Sequence, residues 1–182
     1  EVENALFQLD SLSNKQLNGL ILDLRNNPGG LLRECLEIVN LFVPKNDTIL
    51  TAKGKNTSWN KTYITKKEPL YENLPIIVLI NENSASASEI VAGCLQDLDK
   101  GLVLGRTSFG KGLIQQNQKL AYNTQLKLTV AKYYTPSGRC IQNSNSDKKG
   151  KRSNVSDSLR SVFKTNNGRT VYGGGGVNPD IE

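Results

Sequence analysis

Three serines spaced two apart, Ser84, Ser86 and Ser88, follow the apolar run LPIIVLIN (74–81) and precede EIVAGCLQDL (89–98), whose apolar spacing is helical. A serine at a strand-to-helix junction lies against the first amides of the helix, where partial positive charge collects. The next N–H, that of Ala87 for Ser86, is then placed to face an oxyanion, as in a nucleophile turn. The same residues, Ser86-Ala87-Ser88-Glu89, also spell a capping box, in which serine and glutamate merely satisfy helix-end amides. Local physics does not separate the three serines.

A second segment, GRTSFGKGLIQQ (105–116), sets Lys111 between two glycines. Burial disfavours a charged ammonium, and Phe109, Leu113 and Ile114 are available as an apolar wall. A neutral lysine amine can take the proton of a serine hydroxyl. Gln115, four residues on, would orient that amine if the stretch coils helically. Two other readings compete: an ordinary solvated lysine, and a phosphate loop of the form G-x-x-x-x-G-K-[ST]. In the second, Gly105, Gly110 and Lys111 fit, but Gly112 stands where a Mg²⁺-binding hydroxyl belongs.

The third segment, DLRNNPGG (23–30), ends a buried apolar run, GLILDL. Gly29 and Gly30 expose backbone amides that can form an anion nest or half an oxyanion hole. The plainer reading is a turn and helix start, with Asp23 and Arg25 as an ion pair.

Composition narrows the chemistry. The 182 residues contain no histidine, which excludes Ser-His-Asp triads, Cys-His dyads and His-ligated zinc. Cys35, Cys94 and Cys140 lie far apart with no CxxC, so neither a zinc ribbon nor a dense disulfide framework is expected. The net charge of +6 suits anionic partners without demonstrating one. No apolar run approaches a membrane span. Methionine is absent and no signal-type segment opens the sequence, so it reads as a piece of a longer protein.

The elements that must position these residues alternate between strand and helix, which predicts an α/β layer structure in one domain, 1–182. Helices are expected over 1–18, 31–43 and 89–98, and strands over 19–24, 48–52, 57–65, 74–81, 101–105 and 125–135. Polar residues 141–170 are expected to form a mobile loop, with a short helix around 156–164. Lys148, Lys149, Lys151 and Arg152 there read as a solvated basic face.

Taken together and in order, GLILDLRNNPGG, NENSASASEIVAG, GRTSFGKGLIQ and LKLTVAKYYTPSGRCIQ resemble the signatures of the C-terminal processing peptidases, or tail-specific proteases; GGGGVNPDI near the end is also similar. The resemblance covers most of 15–142. It implies a serine endopeptidase that cleaves near substrate C-termini through a Ser–Lys dyad and an acyl-enzyme, with no metal or cofactor. It implies Ser86 as nucleophile, Lys111 as base and Gln115 as its support. The oxyanion hole falls to Ala87 with Gly29 or Gly30. The implied fold is α/β, a crotonase- and Clp-protease-like spiral of β-β-α units around a mostly parallel sheet. The family's upstream PDZ domain is expected to lie outside this sequence, and the family's setting implies the cell envelope or periplasm. The expected partner is a polypeptide bound in extended form on an open sheet edge, with 125–134 one candidate edge; no nucleic acid is expected. The competing class is a non-catalytic peptide- or ligand-binding module on the same scaffold, with nucleotide binding third.

Overall fold

The structure, a computed structural model, describes residues 1–14, 17–143 and 160–182. Helix α1 (Val2–Leu12) leads into β1 (Leu20–Asp23), then α2 (Leu32–Asn40) and two paired strands, β2 (Thr48–Gly54) and β3 (Lys61–Ile64). Strand β4 (Ile76–Ile80) runs into α3 (Ala87–Asp97), followed by β5 (Leu102–Gly105), β6 (Leu113–Lys119) and β7 (Gln125–Tyr134). Short strands β8 (Val162–Lys164) and β9 (Thr170–Tyr172) close the chain.

Two sheets carry the architecture. A parallel sheet has the order β1-β4-β5, and an antiparallel one the order β3-β2-β7-β6. The β4–α3–β5 unit explains the parallel pairing, because parallel neighbours need a crossover and a helix supplies it. The antiparallel pairs β2–β3 and β6–β7 follow from short turns at 55–60 and 120–124. The fold is therefore α/β with mixed sheets, and the expectation of a mostly parallel sheet is corrected: among the described residues the parallel set has three strands, while β2, β3, β6, β7, β8 and β9 pair antiparallel.

Helix α3 is the spine of the core, buried at every position from Ala87 to Asp97. Val78 and Val103 of the parallel sheet, Val39 of α2, Phe42 just after it, and Leu50 of β2 belong to the same core, each 0% exposed. A buried pair anchors the far end of α3, where the Arg139 guanidinium meets Asp97 Oδ1 at 2.8 Å and Gln96 Oε1 at 2.7 Å. Burial draws the Arg139 guanidinium down, against the pull of Asp97.

Other expectations shift at the edges. Residues 113–119 form a strand, so the stretch after Lys111 does not coil helically. Within 156–164 the described residues are 160–164, of which 162–164 form strand β8 and none is helical; the basic cluster 148–152 lies outside the described residues. The candidate edge 125–134 is an interior strand over 131–132, paired with β2 on one side and β6 on the other, and 133–134 pair with β2. Among the described residues, 125–130 has no strand on the β2 side, because β2 stops opposite Ala131.

Candidate active site

The structure separates the three serines. Ser84 is fully buried, and its hydroxyl donates to the Leu24 carbonyl at 2.7 Å. The Ser88 hydroxyl donates to the Asn27 carbonyl at 3.0 Å. Both are spent holding the 24–27 turn against the start of α3. Ser86 is half-buried at the helix N-cap, with φ 57° and ψ −114°. A β-carbon is strained in that region, and such strain is retained where the surroundings impose it. The turn that strains Ser86 also holds it between β4 and α3, the placement expected of a nucleophile.

The capping pattern is present, and it does more than cap. Glu89 is fully buried. Its Oε2 accepts the N–H of Ser86 and the N–H of Lys111, each at 2.8 Å. Its Oε1 accepts the Ser108 hydroxyl at 2.6 Å and the Gly110 N–H at 2.5 Å. One carboxylate thus joins the serine turn to the lysine loop, and the amide nitrogens of Ser86 and Lys111 lie no farther apart than twice 2.8 Å. Burial pushes the Glu89 carboxyl up from its usual range, while the four donors pull the other way. Sequence reading took Glu89 for a helix cap; the usable signal was a capping glutamate in the same protein as a glycine-flanked lysine loop with amides to donate.

A second residue bridges the same two segments. The Tyr133 hydroxyl, buried beneath β7, donates to the Lys111 carbonyl and lies 3.4 Å from the Ser86 carbonyl. Burial raises its pKa well above the usual tyrosine value, so it remains a donor. Nothing in the sequence pattern distinguished Tyr133 from any core tyrosine.

The lysine loop is also held from behind. Ser108 N–H donates to the Val177 carbonyl at 3.0 Å, and Val177 N–H returns to Ser108 Oγ at 2.7 Å. Gly112 N–H donates to Gln142 Oε1 at 2.8 Å. The glycine-rich segment near the chain end therefore belongs to the site's support. Lys111 itself is half-buried, as are Phe109, Leu113 and Ile114. Gln115 lies exposed on β6, and its amide donates to Thr129 Oγ1 at 3.5 Å.

This hydrogen bonding argues against a phosphate loop. The amides of Ser108, Phe109, Gly110, Lys111 and Gly112 are all donated internally, and the carboxylate they surround would repel phosphate. A strand, not a helix, follows the loop. Among the described residues, no group of three or more Cys, Asp or Glu is placed to hold a metal.

The glycine turn packs directly on the serine turn. Asn27 O accepts the Ala85 N–H at 3.0 Å. A β-carbon on Gly29, at φ +90°, would fall 2.5 Å from Ala85 O and 2.6 Å from Ala87 N, so only glycine fits. The Gly29 N–H donates to Asn27 Oδ1 at 2.9 Å. Gly30 N–H and Ala87 N–H, the latter in the first turn of α3, have no hydrogen-bond partner among the described residues. Asp23 and Arg25 form an exposed two-point ion pair with a contact of 2.6 Å. The guanidinium holds the Asp23 carboxyl down at about 2.

Comparisons with known proteins agree on one lineage. Residues 1–149 match peptidase family S41. The chain is 46% identical over 127 residues to a carboxy-terminal-processing protease of Bartonella bacilliformis, covering 70% of this chain and 29% of that protein. It is 41% identical over 136 residues to a carboxyl-terminal-processing protease of Synechocystis, covering 75% and 30%. Among solved structures, a photosystem II D1 C-terminal processing protease superposes with a TM-score of 0.66 at 34% identity, covering 74% of this chain and 34% of that one. The chain spans about a third of the length of these relatives.

Proposed function

The chain belongs to peptidase family S41, and from that premise we propose that it is the catalytic core of a serine endopeptidase acting near the C-termini of polypeptides. Ser86 is the nucleophile and Lys111 the general base. The observation that carries this reading is the shared Glu89 Oε2, which ties the amides of Ser86 and Lys111 to one atom. Two residues 25 positions apart in the sequence are thereby held as neighbours.

In the reaction, the Lys111 amine accepts the Ser86 hydroxyl proton as Oγ attacks the peptide carbonyl. The oxyanion is received by the Ala87 N–H and the glycine turn. Gly30 is the better donor there, because the Gly29 N–H already serves Asn27. The protonated amine gives its proton to the leaving amine, and Lys111 then activates the water that hydrolyses the acyl-enzyme. Gln115 supports Lys111 through its amide oxygen, since its amide nitrogen donates to Thr129. Each oxyanion donor is worth about 3–4 kcal/mol.

The wider reading is a crotonase- and Clp-like spiral, a PDZ domain elsewhere in the protein, a polypeptide substrate bound in extended form, and a cell-envelope setting. The test is acylation: a serine-directed fluorophosphonate should label the protein at Ser86, and Lys111→Ala should abolish labelling while the fold is kept. Labelling of Ser86→Ala at the wild-type rate would defeat the assignment. A non-catalytic peptide-binding module is the other reading, and it predicts no labelling at all; the strained backbone at Ser86, which peptide binding does not require, favours catalysis.

A further inference from the structure

The antiparallel sheet carries a charge pattern that peptide hydrolysis leaves unused. Its four strands and the turns within its two hairpins contain Lys53, Lys55, Lys61, Lys119, Lys127 and Lys132, and no aspartate or glutamate. All six are exposed, and none has a carboxylate within 4.0 Å among the described residues. Lys53 and Lys132 stand directly opposite each other in the ladder, a repulsive arrangement. The net charge of the whole protein is +6, as much as this one sheet supplies.

Among the described residues, no third strand flanks the outer part of the β6–β7 hairpin. Its pairing runs from Gln115↔Thr129 to Lys119↔Gln125. Beyond Gly54, β2 no longer flanks it, so it reaches about 20 Å past the sheet. A two-stranded ribbon is marginal in water without a surface to lie on. This one is two-faced. Leu126 and Leu128 oppose Gln118 and Gln116, and Leu120 continues the same face. The three leucines are 43%, 45% and 52% exposed in that order. Lys119 and Lys127 stand on the opposite face.

The tip is strained. Tyr122 and Asn123 have φ 55° and 60°, and the Thr124 N–H donates back to the Ala121 carbonyl at 3.3 Å. Two successive positive φ values define the turn that favours Asn-Gly. Tyrosine is a costly choice there, yet Tyr122 is 97% exposed and gains no packing from the fold. An aromatic ring is thus projected into solvent at the end of a lysine-flanked, leucine-faced ribbon.

We propose that the β6–β7 ribbon is a peripheral anchor for an anionic lipid surface. Leucines enter the acyl boundary, Tyr122 lies at headgroup level, and the lysines extend their stems to lipid phosphates. A protruding ribbon with a leucine face and an aromatic tip suits insertion into a soft surface. Among the described residues no helix is long and apolar enough to cross a membrane, so this contact is peripheral. β6 begins two residues after Lys111, so the proposed anchor is continuous with the base loop.

The test is sedimentation of the protein with vesicles of phosphatidylglycerol and phosphatidylcholine, against phosphatidylcholine alone. Binding is expected only to the anionic vesicles and should weaken with salt. Lys119→Gln should weaken it about fivefold, the value of one lysine near such a surface. Tyr122→Gly should weaken it about tenfold or more while the melting temperature holds or rises, because glycine relieves the positive φ. A tyrosine kept for folding would give the opposite thermal shift. Equal binding to neutral vesicles, no binding to either, or wild-type binding by Tyr122→Gly would overturn the proposal. So would vesicle-like affinity for soluble polyglutamate, which assigns the surface to an acidic polypeptide, or self-association abolished by Tyr122→Gly, which assigns it to a second copy.

Discussion

Replacing Glu89 by glutamine tests whether the two halves of the site are held by one carboxylate. The side chains have the same shape, so packing is preserved. The carboxylate accepts four hydrogen bonds and donates none. An amide oxygen can replace only one of its oxygens, and the amide NH₂ must face the other two donors. If NH₂ turns toward Oε2's partners, the Ser86 and Lys111 amides lose their shared acceptor. If it turns toward Oε1's partners, the Ser108 hydroxyl can rotate to accept, but the Gly110 N–H is left without an acceptor. One buried unsatisfied donor costs about 1–3 kcal/mol. Relief from burying a charge offsets part of that, so the melting temperature should fall by only about 2–10 °C. Activity should suffer more, because an ångström of displacement between reacting groups can cost about 10²-fold. In a chromogenic peptide assay, kcat of Glu89→Gln should fall about 30- to 300-fold with KM little changed. Glu89→Asp should not rescue it, because the shorter side chain cannot span the same donors. Wild-type kcat for Glu89→Gln would refute the argument, as would a loss appearing wholly in KM.

Further predictions follow from the glycine turn, the core and the thiols. Gly29→Ala should fold poorly or lose activity outright, since its β-carbon would fall within 2.6 Å of the serine turn; Gly30→Ala, with open space around the new methyl, should keep its melting temperature. Circular dichroism melts and fluorophosphonate labelling of both variants would check this pair. Arg139→Leu leaves Asp97 buried without its partner and should cost about 3–5 kcal/mol, read as a fall of roughly 10 °C or more in melting temperature. Adding Asp97→Asn should restore part of that loss. Cys35, its thiol pushed up to about 12 by burial, and Cys94, raised well above the usual thiol value, should resist maleimide from pH 7 to about 9. Half-buried Cys140 should react first, and all three should label in denaturant, as counted by mass spectrometry.

The sequence showed the site's parts more clearly than their assembly. The run IIVLI before the serines and the helical spacing after them identified β4 and α3, because both are buried and their patterns are set by that burial. The strand β6 was not recognisable, because LIQQNQK is exposed over most of its length and carries no alternation. The antiparallel sheet was equally hidden, since pairing between β2 and β7 joins residues some eighty positions apart and leaves no local mark. Ser84 and Ser88 could not be set aside until Leu24 and Asn27 were found to accept their hydroxyl protons. Glu89 was visible as a cap and invisible as a junction for the same reason. A capping box is satisfied within four residues, whereas the second half of the Glu89 network comes from 108–111 and is backed by Val177. The support for Lys111 therefore runs from the start of α3 through the lysine loop to the last residues of the chain. The geometry of the candidate dyad is thus set by one buried carboxylate met largely by distant main-chain N–H groups, which almost any residue could supply. That explains why residue types identify the candidates, while only the fold shows what holds them together.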